Sequence, residues 1–169
     1  MFEVFLAGNA HIDPVWLWRW FEGFWTVRYT VRRVVELMKR NPSLTFVFSS
    51  AIMYEWLEEC EPELFEEVKK LVREGRWIPV GGWVVEPDCN IPCGESYVRH
   101  ALYGKSYFRK KLGFEVKIGY NIDSFGHNAS LPQILRKSGY EYYIFMRPSC
   151  HEKDLPSPVF WWESPDGSR

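Results

Sequence analysis

The chain of 169 residues lacks the features that would place it in a membrane or on nucleic acid. No apolar run approaches the roughly 18 residues that indicate a bilayer crossing, and Glu3 stands where a secretory leader would carry basic residues. Its 21 Lys and Arg against 22 Asp and Glu give a net charge of −1, with no basic stripe to neutralise phosphates. We therefore expect a cytoplasmic protein with no nucleic-acid or membrane partner, and we leave homo-oligomerisation open.

Cysteine is scarce as well. The chain has 4 cysteines at irregular spacing, which excludes the disulfide framework of a small secreted domain and predicts reduced thiols. Cys89 and Cys93, joined by Cys150 or His151, are candidates for a thiolate zinc site, but the CxxC pair typical of such sites is missing. Low-complexity tracts and linkers are also absent, so one compact domain over residues 1–169 is expected.

Short apolar runs alternate with helical patterns along the chain, and this alternation predicts parallel strands joined by helices. The expected strands are residues 2–6, 45–49, 77–80, 117–122 and 142–146. A closed eight-unit barrel needs about 250 residues, so about five strand-helix units predict an α/β protein that is part of a barrel or an open sheet. The final SPDGSR is a turn signal, which indicates a fragment of a longer enzyme.

Three helices have recognisable ends. The first begins at Pro62 and stops before Gly75, and the second spans about residues 95–112 and is terminated by Gly113. The third opens with Ser130 and Gln133 at the spacing of a capping box and ends at residue 139.

Parallel α/β folds place their chemistry in the loops after the strands. The polar residues found there are His11 and Asp13, Glu86 and Asp88, Asp123, and Arg147.

His11 and Asp13 are two positions apart, so an extended backbone projects both side chains to one side. Asp123 follows a strand expected near the first, and a His-Asp-Asp set suits Zn²⁺ or a similar divalent ion. The alternative is structural: each aspartate caps a turn, and His11 is a buried, hydrogen-bonded histidine.

The aromatic residues and the remaining polar pair have two interpretations each. Trp16, with Trp18 and Trp20, falls in a predicted loop after Asp13-Pro14, where Trp16 can stack on a sugar or simply pack in the core. Glu86 and Asp88 are an acid and base pair or, more in keeping with the adjacent proline, hydrogen-bonding residues of the loop. His127 is expected to support its own loop.

Three long segments occur in a fixed order, HIDPVWLWRW, GGWVVEPDCNIPCGES and NIDSFGHNASLPQIL, followed by MRPS and PDGS. Together they resemble the catalytic domain of glycoside hydrolase family 38, the class II α-mannosidases, over almost the whole chain. The resemblance implies the N-terminal portion of a seven-stranded α/β barrel and a retaining α-mannosidase that removes terminal α-linked mannose. It leaves the linkage, the aglycone and the native metal open, with Co²⁺ as an alternative to Zn²⁺.

The resemblance also implies roles for individual residues. It places His11, Asp13 and Asp123 on zinc, makes Asp123 the nucleophile, and assigns Trp16, Phe125 and Arg147 to the sugar subsite. The acid/base and a fourth ligand, a histidine, would lie further along the longer protein, so the isolated chain is expected to be inactive or slow.

Two rival functions remain. A metal-dependent polysaccharide deacetylase would use a similar ligand set, although the HxxxH pair typical of such enzymes is missing here. A sugar-binding remnant without catalysis is the other.

Overall fold

The computed structural model describes residues 3–149 and 151–169, which form five helices and five short strands. In chain order these elements are β1 (Gly8–Asn9), α1 (Trp20–Arg40), β2 (Phe46–Ser49), α2 (Ala51–Cys60), α3 (Pro62–Arg73), β3 (Trp77–Val80), α4 (Gly94–Leu112), β4 (Ile118–Asn121), α5 (Leu131–Lys137) and β5 (Tyr142–Phe145).

The strands run parallel and follow one another in chain order. β2 pairs with both β1 and β3, and β4 pairs with β5. The two groups meet where the N–H of Gly81, just after β3, donates to the carbonyl of Ile118 at 2.8 Å. Because paired parallel strands end at the same edge, the loops that follow them are brought together there.

The core lies between the sheet and the helices that connect its strands. Helix α1 buries Val27, Val31, Val35 and Met38, whose spacing of three and four residues lines one face of a helix. Helix α3 buries Phe65, Val68, Leu71 and Val72 by the same spacing. These side chains belong to one cluster of buried residues that also contains strand residues such as Phe48 and Trp77.

Most element predictions are confirmed within a residue or two. Strands β2 to β5 lie inside the predicted runs, α3 begins at Pro62, and α4 ends at Leu112 before Gly113, whose φ of 64° is left-handed. Such a backbone suits glycine and closes the helix.

The first predicted strand is wrong. Phe2 lies outside the described residues, residues 3–7 form no strand, and the strand is Gly8–Asn9. Val4, Phe5 and Leu6 are exposed, and β1 pairs with β2 only through Gly8 and Asn9. An apolar run becomes a strand only where a partner strand reaches it, and here the register with β2 begins later.

Two local predictions at helix starts are also wrong. Trp20 is the first residue of α1 and is not part of a loop. The Ser130 side chain makes no capping hydrogen bond, and its backbone is helical and not extended as a capping residue's usually is. The second half of the expected capping box is also missing, because the Ser130 N–H donates to Asn128 Oδ1 at 2.8 Å and the Gln133 side chain donates to Asp166. Among the described residues no helix combines the length and apolarity needed to cross a membrane.

Candidate metal centre and its surroundings

His11, Asp13 and Asp123 come together at the carboxyl ends of β1 and β4. His11 Nε2 lies 3.3 Å from Asp13 Oδ1 and 3.8 Å from Asp123 Oδ2. One ligand atom from each residue lies within 4.8 Å of the others, a spacing at which one ion can contact all three. The sequence predicts this convergence, and the three side chains do lie together in the structure.

The loop after β1 is fixed by its own contacts. The Trp18 indole N–H donates to the carbonyl of Asp13 at 3.0 Å. Gly23 of α1 faces the Pro14 carbonyl so closely that a Cβ would lie 2.2 Å from the oxygen. The helix therefore presses directly on the backbone that carries Asp13.

Arg147, which follows β5, binds the other oxygen of Asp123. Its Nε donates to Asp123 Oδ1 at 2.8 Å, and its guanidinium carbon lies 4.8 Å from the centre of the Phe125 ring. The two Asp123 oxygens thus have different neighbours: Oδ2 faces His11 and Oδ1 faces Arg147.

Glu86, from the loop after β3, reaches the same place. Its Oε1 accepts the backbone N–H of Asp123 at 2.9 Å, and its Oε2 lies 3.5 Å from His11 Nδ1. The side chain is only 9% exposed, and this burial raises the pKa of the Glu86 carboxyl, although the Asp123 N–H opposes the rise. From the sequence, Glu86 is expected to form hydrogen bonds within its loop or, with Asp88, an acid and base pair; its contacts with His11 and Asp123 are not predicted.

Asp88 does have the expected loop role. Its Oδ1 accepts the backbone N–H groups of Asn90 and Ile91, each at 2.8 Å. These hydrogen bonds lower the pKa of the Asp88 carboxyl. The signal that separates the two acids is burial: Asp88 is exposed, while Glu86 points inward.

Buried hydrogen bonds join the loops after β3 and β4. The Trp83 indole donates to Asn121 Oδ1 at 2.9 Å, and the Asn121 amide donates to the Pro87 carbonyl at 3.2 Å. Ser124 donates to that same carbonyl at 3.1 Å. The loops that carry Glu86 and Asp123 are therefore joined by buried hydrogen bonds.

His127 supports the loop that carries Arg147. Its Nε2 lies 2.6 Å from the Arg147 carbonyl, and its Nδ1 lies 2.8 Å from the Tyr143 hydroxyl. Burial disfavours the charged ring, but the nearby Cys89 thiol and the Arg147 carbonyl leave the pKa of His127 raised overall. The loop role expected for His127 matches these contacts.

The two aromatic candidates for a sugar subsite are exposed. Trp16 is 62% exposed and meets Trp18 edge to face, with ring centres 5.2 Å apart. Phe125 is also exposed, and its face is covered in part by Arg147. Neither ring is a core side chain.

The cysteines do not form a second centre among the described residues. Cys89 is buried and free, Cys93 is exposed and free, and Cys150 lies outside the described residues. The Cys89 sulfur accepts from the Asn121 amide at 3.4 Å, so its contacts belong to the buried network between the loops.

The fold and the site define an α/β protein with a candidate metal centre where its parallel strands end. The chain belongs to glycosyl hydrolase family 38, because the model of the glycosyl hydrolases family 38 N-terminal domain matches residues 1–169.

Relatives of the chain carry names from the same family. It is 37% identical to alpha-mannosidase G of Dictyostelium discoideum over 98% of this chain and 15% of that protein. It is 36% identical to human alpha-mannosidase 2C1, over 96% of this chain and 16% of that protein. A crystal structure of an alpha-mannosidase from Enterococcus faecalis V583 matches with a TM-score of 0.75 and 26% identity, over 82% of this chain and 16% of that one. The chain thus spans about a sixth of these relatives.

Proposed function

We propose that these residues form the N-terminal portion of the catalytic α/β barrel of a metal-dependent, retaining α-mannosidase that removes terminal α-linked mannose. The observation that carries the proposal is the placement of Asp123, with one oxygen towards His11 and the other on Arg147. Family membership and the names of the relatives favour a mannosidase over the deacetylase alternative.

The residues present fit a zinc ion. His11 Nε2 is a buried nitrogen without a hydrogen-bond partner, and it faces the carboxylates of Asp13 and Asp123. One imidazole nitrogen and two carboxylate oxygens are ligands that Zn²⁺ takes in proteins, and Co²⁺ accepts the same set. When bound, the ion would supply positive charge beside Asp123 and would help to orient the sugar through its hydroxyls.

Asp123 acts as the nucleophile in this proposal. A carboxylate oxygen bonds to the anomeric carbon while the bond from that carbon to the glycosidic oxygen breaks, and the leaving oxygen takes a proton from an acid. Water then loses a proton to the same acid/base group, its oxygen bonds to the anomeric carbon, and the bond to Asp123 breaks. Two inversions leave the configuration of the sugar unchanged.

The residues around Asp123 have supporting roles. Arg147 holds Oδ1 of Asp123 in place by a hydrogen bond, while Trp16 and Phe125 present exposed rings to the sugar. We propose that the acid/base and a fourth ligand come from residues of a longer protein beyond these 169, so the isolated chain turns over slowly or not at all.

The experiment compares Asp123→Ala with the matched control Asp154→Ala, an exposed aspartate, in the protein at its natural length. Hydrolysis of an aryl α-mannoside should fall by about 10⁴-fold or more in Asp123→Ala and stay unchanged in the control. Added azide should restore turnover and release a β-mannosyl azide, because azide enters from the side that the carboxylate occupied.

Other results would contradict the proposal. Unchanged hydrolysis by Asp123→Ala excludes this nucleophile. Acetate released from an acetylated polysaccharide, with no mannosidase activity, supports the deacetylase. Sugar binding without any turnover by the unmodified protein supports the sugar-binding remnant.

A further inference from the structure

The carboxylate of Glu86 contacts two different candidate ligands, each away from the atom that would bind the ion. Oε1 accepts the N–H of Asp123 at 2.9 Å, and Oε2 lies 3.5 Å from Nδ1 of His11. The other ring nitrogen of His11, Nε2, is the one directed at Asp13 and Asp123. Glu86 therefore lies behind the ligands, on the side of His11 opposite to the proposed ion.

Oε2 of Glu86 has no other partner. It is a buried oxygen that makes no hydrogen bond within the described part of the chain. A buried carboxylate oxygen without a donor is costly, and the nitrogen it faces, at 3.5 Å, belongs to the His11 ring. A neutral histidine that binds a metal through Nε2 carries its proton on Nδ1, which is the donor that Oε2 lacks.

The backbone around Glu86 is held by hydrogen bonds to the start of α2. The Glu86 N–H donates to Ser50 Oγ at 3.2 Å. The first N–H groups of the helix, from Ala51 and Ile52, donate to the carbonyls of Trp83 and Val84 at 2.9 and 3.0 Å. The first N–H groups of a helix have no partner within the helix, so the carbonyls of the loop after β3 accept them. The same hydrogen bonds hold that loop against the start of α2.

Ser50 adopts an uncommon backbone conformation at this junction. Its φ is 73°, the only positive value among non-glycine residues in the described ranges 3–149 and 151–169. A side chain in this region costs free energy and persists where surrounding contacts maintain it. Its hydroxyl, turned towards the Glu86 N–H, is one of those contacts.

We propose that Glu86 is the positioning residue of the metal centre: its two oxygens hold the His11 ring and the Asp123 backbone, and so set the ligand atoms of the loops after β1 and β4 for one ion. The proposal rests on the proposed function, since it takes His11, Asp13 and Asp123 as metal ligands. A carboxylate behind a ligating histidine fixes the ring orientation and makes the nitrogen a better donor to the metal.

The variant Glu86→Gln distinguishes a positioning role of Glu86 from a merely structural one. Glu86→Gln keeps the side-chain volume and one oxygen to accept the Asp123 N–H. With that oxygen engaged, its NH₂ group faces the Nδ1–H of His11, donor against donor. A purely structural Glu86 would tolerate glutamine, whereas a positioning Glu86 would not.

The test measures zinc affinity by chelator competition in the protein at its natural length, for the wild type, Glu86→Gln and Glu86→Ala. The control is Asp88→Asn, the same carboxylate-to-amide change two residues along the loop. We expect Glu86→Gln to weaken zinc binding by about 10- to 100-fold, with metal-free unfolding temperature unchanged, and to alter the visible absorption of the Co²⁺ form. Asp88→Asn should leave zinc affinity and the Co²⁺ spectrum unchanged.

The outcomes separate the two proposals. If Glu86→Gln binds zinc as the wild type does, the positioning role is overturned and the proposed function stands, whether or not Glu86→Ala folds. If the wild type binds no zinc, and His11→Ala therefore makes no difference, the metal centre of the proposed function is overturned and the role of Glu86 with it.

Discussion

Arg147 Nε donates to Asp123 Oδ1 at 2.8 Å, while Oδ2 of the same carboxylate lies 3.8 Å from His11 Nε2. One oxygen of the proposed nucleophile thus accepts a hydrogen bond from the cationic Arg147, and the other faces the candidate ligand His11. Because His11 follows β1 and Arg147 follows β5, the position of Asp123 depends on loops from the first and the last strand of the series. Changes to Arg147 should therefore affect catalysis separately from metal binding.

Arg147→Lys is expected to lower kcat by roughly 10- to 150-fold, the equivalent of the 1.5–3 kcal/mol typical of a charge-assisted hydrogen bond. Lysine keeps the charge but not the planar donor geometry of the guanidinium. Zinc affinity should change little, because Oδ2 is not the oxygen that Arg147 binds. Steady-state kinetics and chelator competition measure the two effects.

The matched control for this change is Arg136→Lys, at an exposed arginine of α5. It should keep wild-type kcat. A kcat that is equal in Arg147→Lys and the wild type would contradict a role for Arg147 at the nucleophile.

The sequence predicted the convergence of His11, Asp13 and Asp123 from two general rules, although its expectation that the strand before Asp123 lies near the first is wrong: β4 pairs with β5 and follows β3, not β1. Two residues at alternate positions share a side of an extended segment, and parallel strands end at one edge. The three side chains do lie together, while their roles as ligands and nucleophile stay predictions.

Glu86 could not be assigned from the sequence for a geometric reason. It lies six positions beyond the end of β3, and its direction depends on how the loop packs against the start of α2. The neighbouring Asp88 has the same chemistry and points to solvent, so residue type alone does not distinguish them.

The misplaced first strand has a related cause. Val4 to Leu6 are typical strand residues, but pairing with β2 begins at Gly8, where glycine allows the Phe46 ring to approach within 3.1 Å of the Cβ position. The propensity to form a strand depends on one segment alone, whereas the register of pairing depends on both strands.

Gly23→Ala should destabilise the protein and loosen the Asp13 loop. An added Cβ would lie 2.2 Å from the Pro14 carbonyl oxygen, and overpacking of this kind costs about 1–3 kcal/mol. The atoms that the Cβ would overlap are backbone atoms of Pro14 and cannot rotate away, so we expect the cost to exceed the gain in helix propensity from alanine, about 1 kcal/mol. Urea unfolding measures the stability change, and zinc affinity should fall with it.

Gly94→Ala is the matched control, because Gly94 is also a helical glycine but its nearest contact to an added Cβ is Ile134 at 3.9 Å. It should be neutral or slightly stabilising. Equal stability of the two alanine variants would contradict the close approach of α1 to the Asp13 loop.

Trp16→Ala tests the proposed sugar subsite. Because Trp16 is 62% exposed, its removal should leave the unfolding temperature near that of the wild type. An aromatic contact contributes about 0.5–1.5 kcal/mol, so KM for an aryl α-mannoside should rise by roughly 2- to 12-fold while kcat changes little. Trp16→Phe, which keeps an aromatic face, should give a smaller rise.

Trp25→Ala is the control for removing an exposed tryptophan. Trp25 lies on α1 and stacks on Arg28, with the guanidinium carbon 5.0 Å from the ring centre. Its replacement should leave KM unchanged, because this ring is engaged with the helix surface. If KM rises equally in both variants, or in neither, Trp16 has no specific role in holding the sugar, and the aromatic face of the subsite must come from Phe125 or from elsewhere in the protein.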